Sequence, residues 1–331
     1  MRLTVVHETR YSYAYAVEQA HHIAHMRPLA SVSQELLSHK LTIQPEPAAL
    51  NHSIDSYGQQ RVYFELALPH AELVVIAESE VITHALPPEL SGKLDRVTMP
   101  DSLPWDAVAE HMQYRAEQEF DAAREFAQAS PLAPIHPTFA HYAAAVSSKG
   151  ETVYELAKAL CQRIHTEFKY SPEATDASTS PLAAFKLKEG VCQDYAQVMI
   201  AGLRSMGLAA RYVSGYLLTQ PPPGRPRLIG ADASHAWVSV YCPKSGWLDF
   251  DPTNNCLAGE SHVKLAYGRD YGDVPPLRGV IRGGGEHTLD VAVTVAPVAP
   301  PLVAEPRLEA QTTKAGATSS SQSQSQSQSQ S

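Results

Sequence analysis

The chain has 331 residues, of which 44% are hydrophobic and 18% charged, with a formal net charge of −9. That apolar share excludes a wholly disordered protein, and the length suits two domains of about 100 to 200 residues each. The acidic balance is the wrong sign for a surface that neutralises phosphates, so nucleic acid is not an expected partner.

Met1 to Glu8 contains no apolar run of signal-peptide length, and no stretch approaches the roughly 18 uncharged apolar residues of a membrane helix. The expectation is a cytoplasmic protein without a membrane partner. The four cysteines, Cys161, Cys192, Cys242 and Cys256, form no CxxC pair, so neither a zinc ribbon nor a disulfide framework is supported.

In chain order, residues 1–90 read as an all-β sandwich. Tyr11-Ser12-Tyr13, Arg61 to Leu68 and Glu72 to Ala77 are rich in β-formers, with prolines and Asp55-Ser56-Tyr57-Gly58 as turns. His21, His22 and His25 tempt a metal reading, but no cysteine or carboxylate joins them, and solvated histidines are expected instead. Residues 91–150 read as a helical connecting arm: Trp105 to Gln128 is rich in Ala, Glu and Gln, and a second helical patch lies near Phe139 to Val146, after three prolines.

Residues 151–295 read as an α+β core. Val153, Leu156, Ala157, Leu160 and Ile164 place an amphipathic helix over Thr152 to Phe168, with Cys161 buried beside the stripe. A second helix begins at Cys192 and stops at Gly207. Strands follow at Ala209 to Leu218, His235 to Tyr241 and Trp247 to Phe250. Residues 296–331, Pro/Ala-rich and then a Ser-Gln repeat, have no apolar face to bury and are expected to be disordered.

Three residues carry the chemistry. Cys192 falls in the first turn of its helix, where unpaired N–H groups and the helix dipole favour a thiolate and could hold an oxyanion. His235 opens a strand. Asp251 ends the next one, which Pro252 prevents from continuing. Antiparallel pairing of those strands delivers Asp251 beside His235, where a carboxylate fixes the imidazole tautomer. Asp249, two residues back, would sit nearer Trp237. Asp194 could recognise a substrate amine or cap the helix. Trp237 could wall the site or pack, and Asp232 and Asn254 could orient loops around it. Cys242 and Cys256 read as structural.

The segments Gly190 to Ala196, Arg204 to Tyr216, Ser234-His235-Ala236-Trp237 and Gly246-Trp247 to Asp251-Pro252-Thr253 resemble the bacterial transglutaminase-like family, whose members are often described as cysteine proteases. The resemblance spans about Thr152 to Asn255. It implies a papain-like fold with a nucleophile helix on an antiparallel sheet and a Cys-His-Asp triad. It also fits the strand-rich segment before the core. The implied function is cysteine-dependent acyl transfer on a peptide or protein amide through a thioester, resolved by water, with no metal and no cofactor. Transfer to an amine and a non-enzymatic binding module on the same scaffold are the alternatives.

Overall fold

The computed structural model describes residues 1–91, 94, 99, 101–116, 119–219 and 234–298. Asp232 and the Ser-Gln tail lie outside the described residues.

The N-terminal strands are β1 (Arg2–Ala24), β2 (Gln34–Gln44), β3 (Ala49–Ile54), β4 (Gln60–Leu66) and β5 (His70–Thr83). In β1 the inward positions Leu3, Val5, His7 and Thr9 alternate with exposed or partly exposed ones, the period-2 signature of a strand buried on one face. The strand changes neighbours partway along. Its first half pairs with β5, with Val5 opposite Ser79. Its second half pairs with β4, with His22 opposite Phe64. Val17, Ala20 and Ala24 of β1, Phe64 and Leu66 of β4, and Leu73 and Val75 of β5 enclose a small core of their own.

Two strands from the far end of the chain complete this sheet. β13 (Leu277–Gly283) and β14 (His287–Pro297) both pair with β1, although their residues read by sequence as part of the core. Val293 and Val295 join Leu3 and Val5 in the main hydrophobic cluster.

The histidines near residue 22 differ from expectation. His22 and His25 are buried rather than solvated, and His22 stacks on Phe64 at 5.0 Å. Burial, with the charges of His70 and His21, lowers the His22 pKa to about 4.

The connecting arm is less helical than its composition suggests. Helix α1 (Trp105–Met112) ends early, and Ala122–Ala127 form a 3-10 turn. The Asp121 side chain accepts from Ala123 N–H at 2.9 Å, a local bond that competes with helix continuation. After the prolines comes α2 (Pro137–Ala144), followed by α3 (Val153–Glu167). Thr152 and Glu155 close a reciprocal capping box at the start of α3. Its stripe from Val153 to Ile164, Cys161 included, is buried.

The core continues through β6 (Lys169–Tyr170), α4 (Pro181–Leu187), β7 (Glu189–Gly190), α5 (Cys192–Ser205), β8 (Ala210–Leu217), β9 (Ser234–Cys242), β10 (Gly246–Asp251), β11 (Cys256–Leu257) and β12 (His262–Gly268). The last five strands form one antiparallel sheet in the order β11-β10-β9-β8-β12. Ala236, Val238 and Val240 of β9 share a cluster with Ala196, Met199 and Ile200 of α5, which seats that helix on the sheet. Arg204, near the end of α5, is buried, and its guanidinium donates to the carbonyls of Phe126, Ala210 and Arg269 and to Ser130 Oγ.

β12 is an edge strand, and an open edge leaves backbone groups unpaired. Two buried glutamines from the N-terminal segment fill it. The Gln34 carboxamide accepts from Lys264 N–H at 2.8 Å and donates to Lys264 O at 3.0 Å. Gln59 does the same at Tyr267, at 2.6 and 2.7 Å. Each side chain thus stands in for a strand residue and ties the N-terminal sheet to the core.

Candidate active site

The site is built where α5 begins. Lys188 adopts a left-handed conformation after α4, and the parallel pairing of β6 with β7 brings Tyr170 beside Gly190. A Cβ on Gly190 would collide with the Asp194 carboxylate, so the residue preceding the N-cap Val191 must be glycine. Asp194 Oδ2 accepts from Val191 N–H at 2.8 Å and from Thr175 Oγ1 at 2.7 Å. It is buried, and burial raises its pKa. Asp194 therefore caps the helix and anchors the preceding loop. The N–H groups of Asp194 and Tyr195 turn back to Val191 O, which leaves those of Cys192 and Gln193 ahead of the first intrahelical bonds.

Cys192 is the first residue of α5 and is partly exposed. His235 lies close to it, with its side chain only 9% exposed, and its Nε2 is 2.7 Å from Asp251 Oδ2. Burial alone would lower the His235 pKa. Hydrogen bonding with Asp251 and with Cys192, and the charges of both, raise it instead to about 10.

Asp251 is fully buried. Burial opposes its charge, but hydrogen bonds from His235 and His262 hold its carboxyl far below the ordinary carboxylate range. Its Oδ1 accepts from the N–H groups of Thr253 and Asn254 at 3.0 and 3.1 Å. Its Oδ2 also accepts from Asn254 Nδ2 at 2.7 Å. Asn254 thus faces the carboxylate and the His235 ring, 3.4 Å from Nε2.

His262, which no local motif singled out, is the second histidine on Asp251. Its Nε2 is 3.1 Å from Oδ2. Its Nδ1 accepts from Gly259 N–H at 3.2 Å, so the proton sits on Nε2 and points at the carboxylate. The first position of β12 delivers it, across the sheet edge from β8. The ligand atoms of His235, Asp251 and His262 lie within 4.8 Å of one another, close enough to hold a metal ion. In this arrangement both imidazoles direct an N–H at the carboxylate, so the lone pairs a metal needs are occupied by protons.

Trp237 is fully buried, over a bed made by Gly215, where any Cβ would strike the indole ring. Its Nε1 donates to Asp249 Oδ2 at 3.2 Å, and Lys264 Nζ lies 2.6 Å from the same oxygen. Asp249 is therefore committed to Trp237 and Lys264, one strand step from the Asp251 network. Cys161 and Cys242 are buried and Cys256 is partly exposed. Burial, with the charge of Asp251, pushes the Cys256 thiol up to about 12. Tyr170, Leu217, Thr219, Ser234, His235 and Asn254 line a cleft of about 340 Å³ over the site.

Residues 3–82 match the family model described as the bacterial transglutaminase-like N-terminal region, and residues 140–252 match the transglutaminase-like superfamily core. An uncharacterized protein of Mycobacterium tuberculosis is 39% identical over 303 residues, 89% of this chain and 93% of that protein. A protein-glutamine gamma-glutamyltransferase of Pseudomonas aeruginosa is 39% identical over 102 residues, 30% of this chain and 15% of that protein. Among solved structures, a candidate cysteine protease from Cytophaga hutchinsonii superposes with a TM-score of 0.66 at 20% identity, covering 89% of this chain and 90% of that one.

Proposed function

Because the chain belongs to the bacterial transglutaminase-like family, we propose that it cleaves amide bonds of peptides or proteins through a thioester on Cys192. The observation that carries this reading is His235, held between Cys192 and Asp251 with its pKa at about 10. A cationic imidazole beside the sulfur stabilises negative charge there. The sulfur attacks the amide carbonyl, and the oxyanion meets the N–H groups of Cys192 and Gln193. As the C–N bond breaks, His235 gives its proton to the departing amine and a thioester remains.

Part of the rise in the His235 pKa comes from Cys192. Acylation of the sulfur removes that part. The imidazolium therefore becomes a better acid as the amine leaves, and the neutral ring then takes a proton from water as the water attacks the thioester. The carboxylic acid leaves and the Cys192–His235 pair is restored. Asp251 holds the ring in register throughout, and Asn254 and His262 hold Asp251.

Transfer to an amine instead of water is the second reading. It is favoured by the likeness of the core to the Pseudomonas aeruginosa gamma-glutamyltransferase. Mass spectrometry of a peptide library incubated with the protein, with and without a primary amine, separates the two. Cleavage products bearing a new carboxylic acid support hydrolysis, amine-bearing adducts support transfer, and an unchanged library contradicts both.

A further inference from the structure

The cleft over His235 does not end at the reacting residues. A second cavity of about 560 Å³ shares Leu217, Thr219 and Asn254 with it, so the two cavities adjoin along these residues. One wall of the larger cavity is Leu218 and Leu257 of the core. The other is Leu86 and Leu90, from the segment that follows the last strand of the N-terminal sheet. Both of these leucines are half-buried, packed on the main core yet open to the cavity. Glu260 stands in the lining, paired with the N-terminal ammonium at 3.5 Å.

From this adjacency we propose that the larger cavity is a subsite for a bulky apolar side chain of the acyl donor, placed within two residues of the amide that Cys192 attacks. The inference rests on the acyl-transfer reading above and adds the substrate class. Leucines on both walls reward an aliphatic or aromatic side chain through the water it leaves behind. An acidic side chain is penalised by desolvation against the leucines, and the Glu260 carboxylate, already paired with the N-terminal ammonium, offers it no compensating charge. A glycine leaves the cavity unfilled. The N-terminal segment then has a part in substrate choice: Leu86 and Leu90 read the donor while the core performs the chemistry.

The test uses the full chain and peptidyl chloromethyl ketones, which alkylate Cys192 without requiring turnover. Leucine, glycine or aspartate is placed at each of the two residues preceding the ketone. Each labelling rate is divided by the iodoacetamide rate on the same protein. At one of the two positions leucine is expected to label about tenfold faster than glycine or faster still, the scale of a filled against an empty apolar pocket, with aspartate slowest. Leu86→Trp fills the cavity and is expected to collapse the leucine-to-glycine ratio toward one. Leu90→Asp is expected to invert it, and because both side chains are half-exposed these variants keep the fold. Equal ratios at both positions in the wild-type protein, or ratios untouched by both variants, overturn the subsite while leaving the acyl-transfer reading standing. Failure of iodoacetamide to favour Cys192 in the wild-type protein overturns that reading and the subsite with it.

Discussion

Asp251 and Asp249 are two residues apart on β10, yet their partners separate them. Asp251 accepts from His235, His262 and Asn254, whereas Asp249 serves Trp237 and Lys264. Asp251→Asn is therefore expected to lower kcat by about 10²- to 10⁴-fold, because an amide N–H facing the ring favours the wrong tautomer. Asp249→Asn should instead act on stability, with steady-state kinetics read beside a urea melt; a larger kcat loss for Asp249→Asn would reverse the assignment. The pH dependence of folding follows from His235. Its folded pKa is raised from the ordinary 6.5 to about 10, so its stabilising contribution is complete below about pH 6.5 and is lost as pH rises through 10. Stability should fall across that window by at most about 1.4 kcal/mol per pH unit. His235→Gln should flatten the profile there, and identical profiles for the two proteins would contradict the pairing. The positions of Cys192 at a helix start, His235 near a strand start and Asp251 at a strand end were legible in the sequence because these are local signals. That of His262 was not, since its partner is fixed by which strand lies beside β8.

At the scale of elements, β12 shows how a strand can be hidden from local reading. Its residues carry no strong alternation, and its outer edge is completed by two glutamine side chains rather than by another strand. Gln34→Leu removes one such carboxamide and takes the acceptor from Lys264 N–H, while Lys264 C=O keeps the Leu29 N–H. The expected loss is about 1–3 kcal/mol, measured by urea unfolding, and Gln59→Leu should cost a similar amount at Tyr267. Since His262 opens β12, these variants should also lower activity at temperatures where the folded state still dominates. No change in either quantity would mean that the edge is satisfied in another way. The helices α3 and α5 were legible because their apolar stripes repeat at helical spacing. The arm was not, because a composition favourable to helix is overridden by the turn that Asp121 closes.

For the molecule as a whole, the sheet on β1 joins the first strand to β13 and β14, more than 250 residues later in the chain. Leu3 and Val5 share one cluster with Val293 and Val295, and β13 and β14 pair with nothing but β1 among the described residues. Removal of residues before Thr83 should therefore do more than trim an accessory. It leaves β13 and β14 without the strand they pair with, exposes Val293 and Val295 of β14, and strips both glutamines from β12. Loss of a cooperative thermal transition is expected, followed by circular dichroism; a truncated chain melting within a few degrees of the full one would contradict this dependence. The β-rich start and the α+β core were both legible from local pattern, but the closing strands were not. A strand near residue 290 gives no local sign that its partner is at residue 8.

The central claim is a thioester on Cys192, and acid-quenched peptide mapping after mixing with a peptide ester donor tests it most directly. An acyl adduct released by hydroxylamine is expected on the peptide carrying Cys192, absent from Cys192→Ala, with Cys256 unmodified as the other partly exposed thiol. An adduct on Cys256, or turnover that persists in Cys192→Ala, would contradict the account.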